Sequence, residues 1–216
     1  MRTTYQSRLS YKRILISLLF IVLMRPIANL VNLLVDDFTI SYTFSFNFVA
    51  GLLIFYDWNL FGIHYNRMKA NLSDFFIYTI IGLILFGIWV YFNYRLLGGY
   101  VLVPDPKTIQ NYLFASPAIH FAFSFSQSLI ISIGFKCLTD HLDIREKELL
   151  IILASGFLFG LFYTVLFIPY TLEAFVRTYL YNVIVVSIMS YLYNQSSSFL
   201  PGTFAYGIVL LLFQLF

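Results

Sequence analysis

The chain predicts an all-α fold, a polytopic transmembrane helical bundle of about seven spans, and three observations carry that class. Hydrophobic residues make up 60% of the 216 residues and charged residues only 11%, where a soluble domain carries roughly 25% charge. Mean hydropathy is +0.83. The apolar residues gather into stretches close to the roughly 20 residues that cross a bilayer as a helix. A backbone in lipid must satisfy its own hydrogen bonds, which makes helices the default for such stretches.

The first span runs from Ile14 to Val35 and ends at Asp36 and Asp37. The second runs from Tyr42 to Ile63 and gives way to the polar segment from His64 to Lys69. The third begins near Asp74 and ends near Leu97, before Gly98 and Gly99. Pro104 and Pro106 mark the following segment as a loop. The fourth span, Tyr112 to Leu138, is long and carries Ser, Gln and His inside it. Asp140 to Glu148 reads as a solvated connection. The fifth span covers Leu149 to Ile168 and is closed by Pro169; the sixth covers Leu172 to Tyr193. After a turn over Asn194 to Ser198, the last span runs from Leu200 to Phe216. With short loops throughout, residues 1–216 are read as a single transmembrane domain.

Charge sets the expected orientation. With the N-terminus inside, the cytoplasmic segments hold Arg2, Arg8, Lys12, Arg13, Arg67, Lys69, Lys136, Arg145 and Lys147, and the outer ones only Arg95, Lys107 and Arg177. Basic residues favour the cytoplasmic side, which predicts a cell-membrane protein with a cytoplasmic N-terminus and an external C-terminus. The basic N-terminal segment leads into a long span with no small-residue cleavage site before it, so it is not read as a cleavable signal peptide. The same loop charges explain the isoelectric point near 8.9 without nucleic acid as a partner. The expected partner is the lipid bilayer, with another membrane protein or a peptide as a further candidate.

Metal and cofactor chemistry is not expected. Cys137 is the only cysteine, and the three histidines, His64, His120 and His141, are widely separated. A catalytic zinc usually takes three protein ligands, and no such spacing occurs within the spans. His-Glu-x-x-His, Gly-x-Ser-x-Gly and phosphate-loop sequences are absent.

Polar residues inside spans are costly and mark candidate sites. Arg25, Asn29 and Asn32 fall at i, i+4 and i+7 and form a stripe on the first span. It reads either as interhelical hydrogen bonding or as a ligand path. Asp57 precedes His64 by seven residues, two helical turns, so on one helix they would share a face. They read as a proton-carrying pair or as an acid near the surface with a basic neighbour. Glu173 and Arg177 have the favourable i,i+4 order of a helical ion pair, and at the start of the sixth span they could also gate a cavity. The densest stripe is His120, Ser124, Gln127 and Ser128 on the fourth span, with Ser132 further on. It suits a cavity lining or ordinary interhelical contacts.

The second half carries a resemblance. Residues 149–163 read LLIILASGFLFGLFY, and residues 175–213 read FVRTYLYNVIVVSIMSYLYNQSSSFLPGTFAYGIVLLLF. This outline, over roughly residues 112–216, resembles the Abi family of CAAX-protease and bacteriocin-processing membrane proteins. Phe159 to Tyr163 is similar to the family's Phe-x-x-x-His, with Tyr163 at the histidine. Tyr193, Ser198 to Pro201 and Tyr206 are similar to its final segment, with Tyr206 at the second histidine and Leu210 at the asparagine. The family's Glu pair would fall on the fourth span, where this chain has Gln127 and Ser128. The resemblance implies a polar cavity among spans four to seven. It also implies a divergent member without the family's proteolysis, because no near-neutral general base replaces the missing acid and histidines. Ala154-Ser155-Gly156 with Phe159-Gly160 is similar to the rhomboid nucleophile segment, but no histidine follows His141, and small residues at this spacing suit close helix packing.

Three functional readings follow. The first is a non-catalytic membrane protein that binds a membrane partner or substrate as scaffold, regulator or immunity factor. The second is an intramembrane peptidase with unorthodox residues such as Glu173, His120 and the two tyrosines. The third is a small-molecule transporter or binding subunit using the Arg25 stripe and the fourth span.

Overall fold

A computed structural model describes residues 9–96, 116–139, 148–167 and 171–215. The expected loop between the third and fourth spans, the start of the fourth span at Tyr112 and the charged connection before Glu148 lie outside those residues. Every regular element among the described residues is a helix: α1 (Tyr11–Val35), α2 (Phe38–Tyr56), α3 (Trp58–Ala70), α4 (Leu72–Leu96), α5 (Ser116–Thr139), α6 (Glu148–Phe167), α7 (Leu172–Ser196) and α8 (Leu200–Leu215). Six of them, α1, α2, α4, α5, α6 and α7, are long and apolar enough to cross a membrane. The 16 residues of α8 form a shorter apolar helix, which at 1.5 Å per residue is about 24 Å long.

Helix α5 is the axis of the bundle. Of its most apolar stretch 67% is buried, against 22% for α1 and for α4. Around it pack three helix pairs: α1 with α2, α6 with α7, and α4 with α8. The outer faces explain the composition. On α4, Thr79, Phe86, Val90 and Asn93 are buried, while Phe76, Ile77, Ile80, Ile84 and Ile88 are exposed. Apolar residues exposed in this number need a lipid solvent rather than water.

The small residues of α6 set a close backbone approach to α7. A Cβ added at Gly156 would lie 2.8 Å from the Val183 carbonyl oxygen of α7, and one at Gly160 would lie 2.9 Å from the Val183 nitrogen. Only glycine lets the two backbones meet this closely.

The second hydrophobic stretch departs from the sequence reading. It does not continue as one helix from Tyr42 to Ile63. Asp57 ends α2, and its carbonyl accepts from the Leu60 and Phe61 amides to start α3. The physical reason lies beyond the local pattern: the Asp57 carboxylate is drawn to α1, where Ser17 Oγ donates to Oδ2 at 2.7 Å. Helix α3 then buries Leu60 and His64 and exposes Trp58, Ile63 and Tyr65. With Arg67 and Lys69 in its last turn, it has the composition of an interfacial amphipathic helix.

Candidate functional site

The stripe on α5 is buried, and its members take different partners. His120, Ser124, Gln127, Ser128 and Ser132 are all 3% exposed or less. Ser124 Oγ donates to its own helix at the His120 carbonyl, 2.8 Å away. Ser128 Oγ donates to the Thr203 carbonyl of α8 at 2.7 Å, and Thr203 Oγ1 donates to Ser132 Oγ at 2.8 Å. One residue off the stripe, Ser126 Oγ donates to Asn47 Oδ1 of α2 at 2.9 Å. These bonds tie α5 to α8 and α2.

Gln127 is different. Its side chain reaches the Tyr163 hydroxyl of α6, and its Oε1 is buried without a hydrogen-bond partner. Tyr163 and Tyr206 are buried, and both lie within electrostatic range of Tyr181 and of each other. The Tyr181 and Tyr206 hydroxyls share a hydrogen bond of 2.9 Å. The structure thus brings Gln127, Tyr163 and Tyr206 into one region.

Helix α4 contributes residues that the sequence reading did not single out. The Phe86 ring packs on Tyr206 with centroids 4.9 Å apart, and the Trp89 indole stacks on Tyr181 at 6.3 Å. Trp89 Nε1 is buried without a partner. One turn further along the same face, Asn93 is fully buried, with both amide atoms unpartnered. A lone amide in an apolar helix was the available signal for Asn93. Tyr181 gave none, because tyrosine is abundant at 17 of 216 residues.

The stripe on α1 divides. Arg25 Nη1 donates to the Leu166 carbonyl near the end of α6 at 3.4 Å, and Asn32 Oδ1 accepts from Ser41 Oγ at 3.5 Å. Asn29 is exposed. Glu173 and Arg177 form an ion pair on the surface of α7, with the acid 71% exposed, and such pairs contribute little to stability.

Asp57, which closes α2 and precedes the first residue of α3, and His64 on α3 are both buried. Beyond its Ser17 bond, Asp57 keeps Oδ1 unpartnered. Burial raises its pKa above 3.8, partly offset by the Ser17 hydrogen bond and by Arg13. His64 packs against Phe199, with ring centroids 4.4 Å apart, and against Tyr193 at 5.9 Å. Its ring nitrogens are buried and unpartnered. Burial, then Lys136 and Arg67, lower its pKa to about 2.

No group of three or more potential metal ligands occurs among the described residues. No family model, curated protein or solved structure matches the chain. The fold defines a multi-pass helical bundle with apolar outer faces and polar groups in its interior.

Proposed function

We propose that this protein binds a membrane-embedded partner through the buried amide, indole and phenol groups of α4 to α8, without catalysing a reaction on it. One observation carries this reading. Gln127 Oε1, Trp89 Nε1 and both amide atoms of Asn93 are buried without partners, and the Trp89 indole stacks on Tyr181 of the Tyr181–Tyr206 pair. An unsatisfied buried polar group costs about 1–3 kcal/mol. Groups kept at that cost suit the recognition of a peptide segment or a lipid-linked group that supplies complementary donors and acceptors. Amides, phenols and an indole are not bases near neutral pH, which favours binding over hydrolysis. The resemblance to the Abi group points the same way, since Tyr163 and Tyr206 stand where that group carries histidines. Basic-residue asymmetry supports a cell-membrane location with the N-terminus in the cytoplasm.

The test uses the tension between stability and binding. Asn93→Leu and Gln127→Leu are expected to raise the melting temperature of the purified protein. They are also expected to weaken a discrete photo-adduct formed in native membranes by a photoreactive residue at Phe92, an exposed neighbour of Asn93. If both substitutions lower the melting temperature and leave the adduct intact, the polar groups are structural and the reading fails. Hydrolysis of prenylated or transmembrane peptides that Tyr206→Phe abolishes would also overturn it.

A further inference from the structure

Helix α3 packs over the turn from α7 to α8. Phe61 meets Phe199 edge-on with ring centroids 5.3 Å apart, and Arg67 donates to the Ser197 carbonyl at 2.9 Å. Single non-helical residues join α3 to its neighbours: Asp57 (φ −103°, ψ 30°) before it and Asn71 (φ −134°, ψ 64°) after it. The Asp57 carboxylate is turned to Ser17 of α1, so the first turn of α3 has no side-chain cap. Two of its 13 residues, Leu60 and His64, are buried. A short helix with so few buried contacts opens at a lower cost than the bundle beneath it.

His64 is the costly part of this contact. Its ring lies against Phe199 and Tyr193, and both ring nitrogens are buried without a partner. An imidazole has one N–H and one lone pair to satisfy, so closing α3 removes water from both and supplies nothing polar in return. Among the described residues, the charges acting on the ring are Lys136 of α5 and Arg67 of α3, both positive, and the phenol of Tyr193 packs on it from α7. Helix α8 has no acid in its first turn. Asp74 of α4 lines a small pocket with Arg67, Glu148 of α6 accepts from Gln195, and Asp57 bonds Ser17. None of these carboxylates bonds to the ring. The closed arrangement thus suits a neutral imidazole and opposes a charged one.

We propose that α3 is a strap over the α7–α8 turn that opens when His64 gains a proton, with Asp57 and Asn71 as its hinges. Opening hydrates the imidazole, lets it ionise, and uncovers Leu60, Tyr193 and Phe199. The sign follows from the two states. Closed, the ring stays neutral down to about pH 2; exposed, it titrates near 6.5. Closure is therefore at full strength above pH 6.5 and weakens below it, by about ten-fold in population per pH unit. From pH 7 to pH 5 the open fraction rises about 25-fold. Asp57 has the opposite sign, because burial raises its pKa: an opening that exposed its carboxylate would become rarer as pH falls.

The test is thiol labelling of the full chain in nanodiscs, in a Cys137→Ser background, with dithiodipyridine, which reacts at acid pH. Leu60→Cys reports from the buried face of α3. Ser198→Cys, buried in the turn beside Arg67 and Met68, reports without altering α3. Each rate is divided by that of exposed Tyr65→Cys at the same pH, which removes the ionisation of the thiol itself. Both ratios are expected to rise about 25-fold from pH 7 to pH 5, while Ser155→Cys, buried in α6, stays within two-fold. His64→Phe keeps the aromatic packing and is expected to abolish the rise; His64→Gln, which does not titrate, serves if His64→Phe fails to fold. Asp57→Asn is expected to keep the rise. The proposal is overturned if neither ratio rises, if the non-titrating His64 variant retains the rise, if Asp57→Asn removes it, or if Ser155→Cys becomes reactive in step.

Discussion

The hydroxyls of Tyr181 and Tyr206 meet at 2.9 Å inside the bundle and join α7 to α8. Both side chains are 3% exposed or less. Removing one hydroxyl leaves the other buried and unpaired, at a cost of about 1 kcal/mol. Tyr206→Phe and Tyr181→Phe are therefore each expected to destabilise by that amount. The double variant is expected to cost less than the sum, because it leaves no orphan. A double-mutant cycle on thermal or denaturant unfolding in detergent checks this, and strict additivity would show that the two hydroxyls do not depend on each other.

Glycine at the α6–α7 contact makes a sharper prediction. Gly160→Ala puts a methyl group against the Val183 backbone, which cannot swing away as a side chain could. The expected loss is about 1–3 kcal/mol. Gly87 on α4 has nothing within 4 Å of an added Cβ. Gly87→Ala should then be neutral or stabilise by up to about 1 kcal/mol, from the helix propensity of alanine. Melting temperatures of the two variants give the comparison.

His64 gives a pH signature with a definite sign. Its folded pKa is lowered to about 2 from 6.5. Below pH 6.5 the unfolded chain takes up a proton that the folded chain does not. Stability from this group is therefore complete above pH 6.5 and declines as pH falls toward 2, by up to about 1.4 kcal/mol per pH unit. Asp57 works in the opposite sense. Its pKa is raised above 3.8, so its contribution declines as pH rises through the window from 3.8 to the folded value. Melting between pH 7 and pH 5 is expected to fall for the wild type and to flatten in His64→Phe.

Orientation is open to direct labelling. In a Cys137→Ser background, Tyr65→Cys on exposed α3 and Asp36→Cys between α1 and α2 are expected to label from opposite sides, with Tyr65 on the cytoplasmic side. Labelling of both from one side would contradict α2 as a complete span.

The sequence by itself determined the class and most of the spans. Apolar runs of this length have one solution in lipid, so the helix positions follow from composition and a few breakers. It also marked Gln127, because an amide stands out in an apolar helix, and Tyr163 and Tyr206 through their places in the resemblance. It could not show that Asp57 breaks the second stretch, since the cause is Ser17, 40 residues earlier on another helix. It could not join Trp89 and Asn93 of α4 to Tyr181, nor Lys136 of α5 to Tyr193 and His64. Those relations depend on which helix faces which, and hydrophobic periodicity is weak where both lipid and core are apolar. Tertiary packing alone decides which polar atoms find partners and which are buried without one.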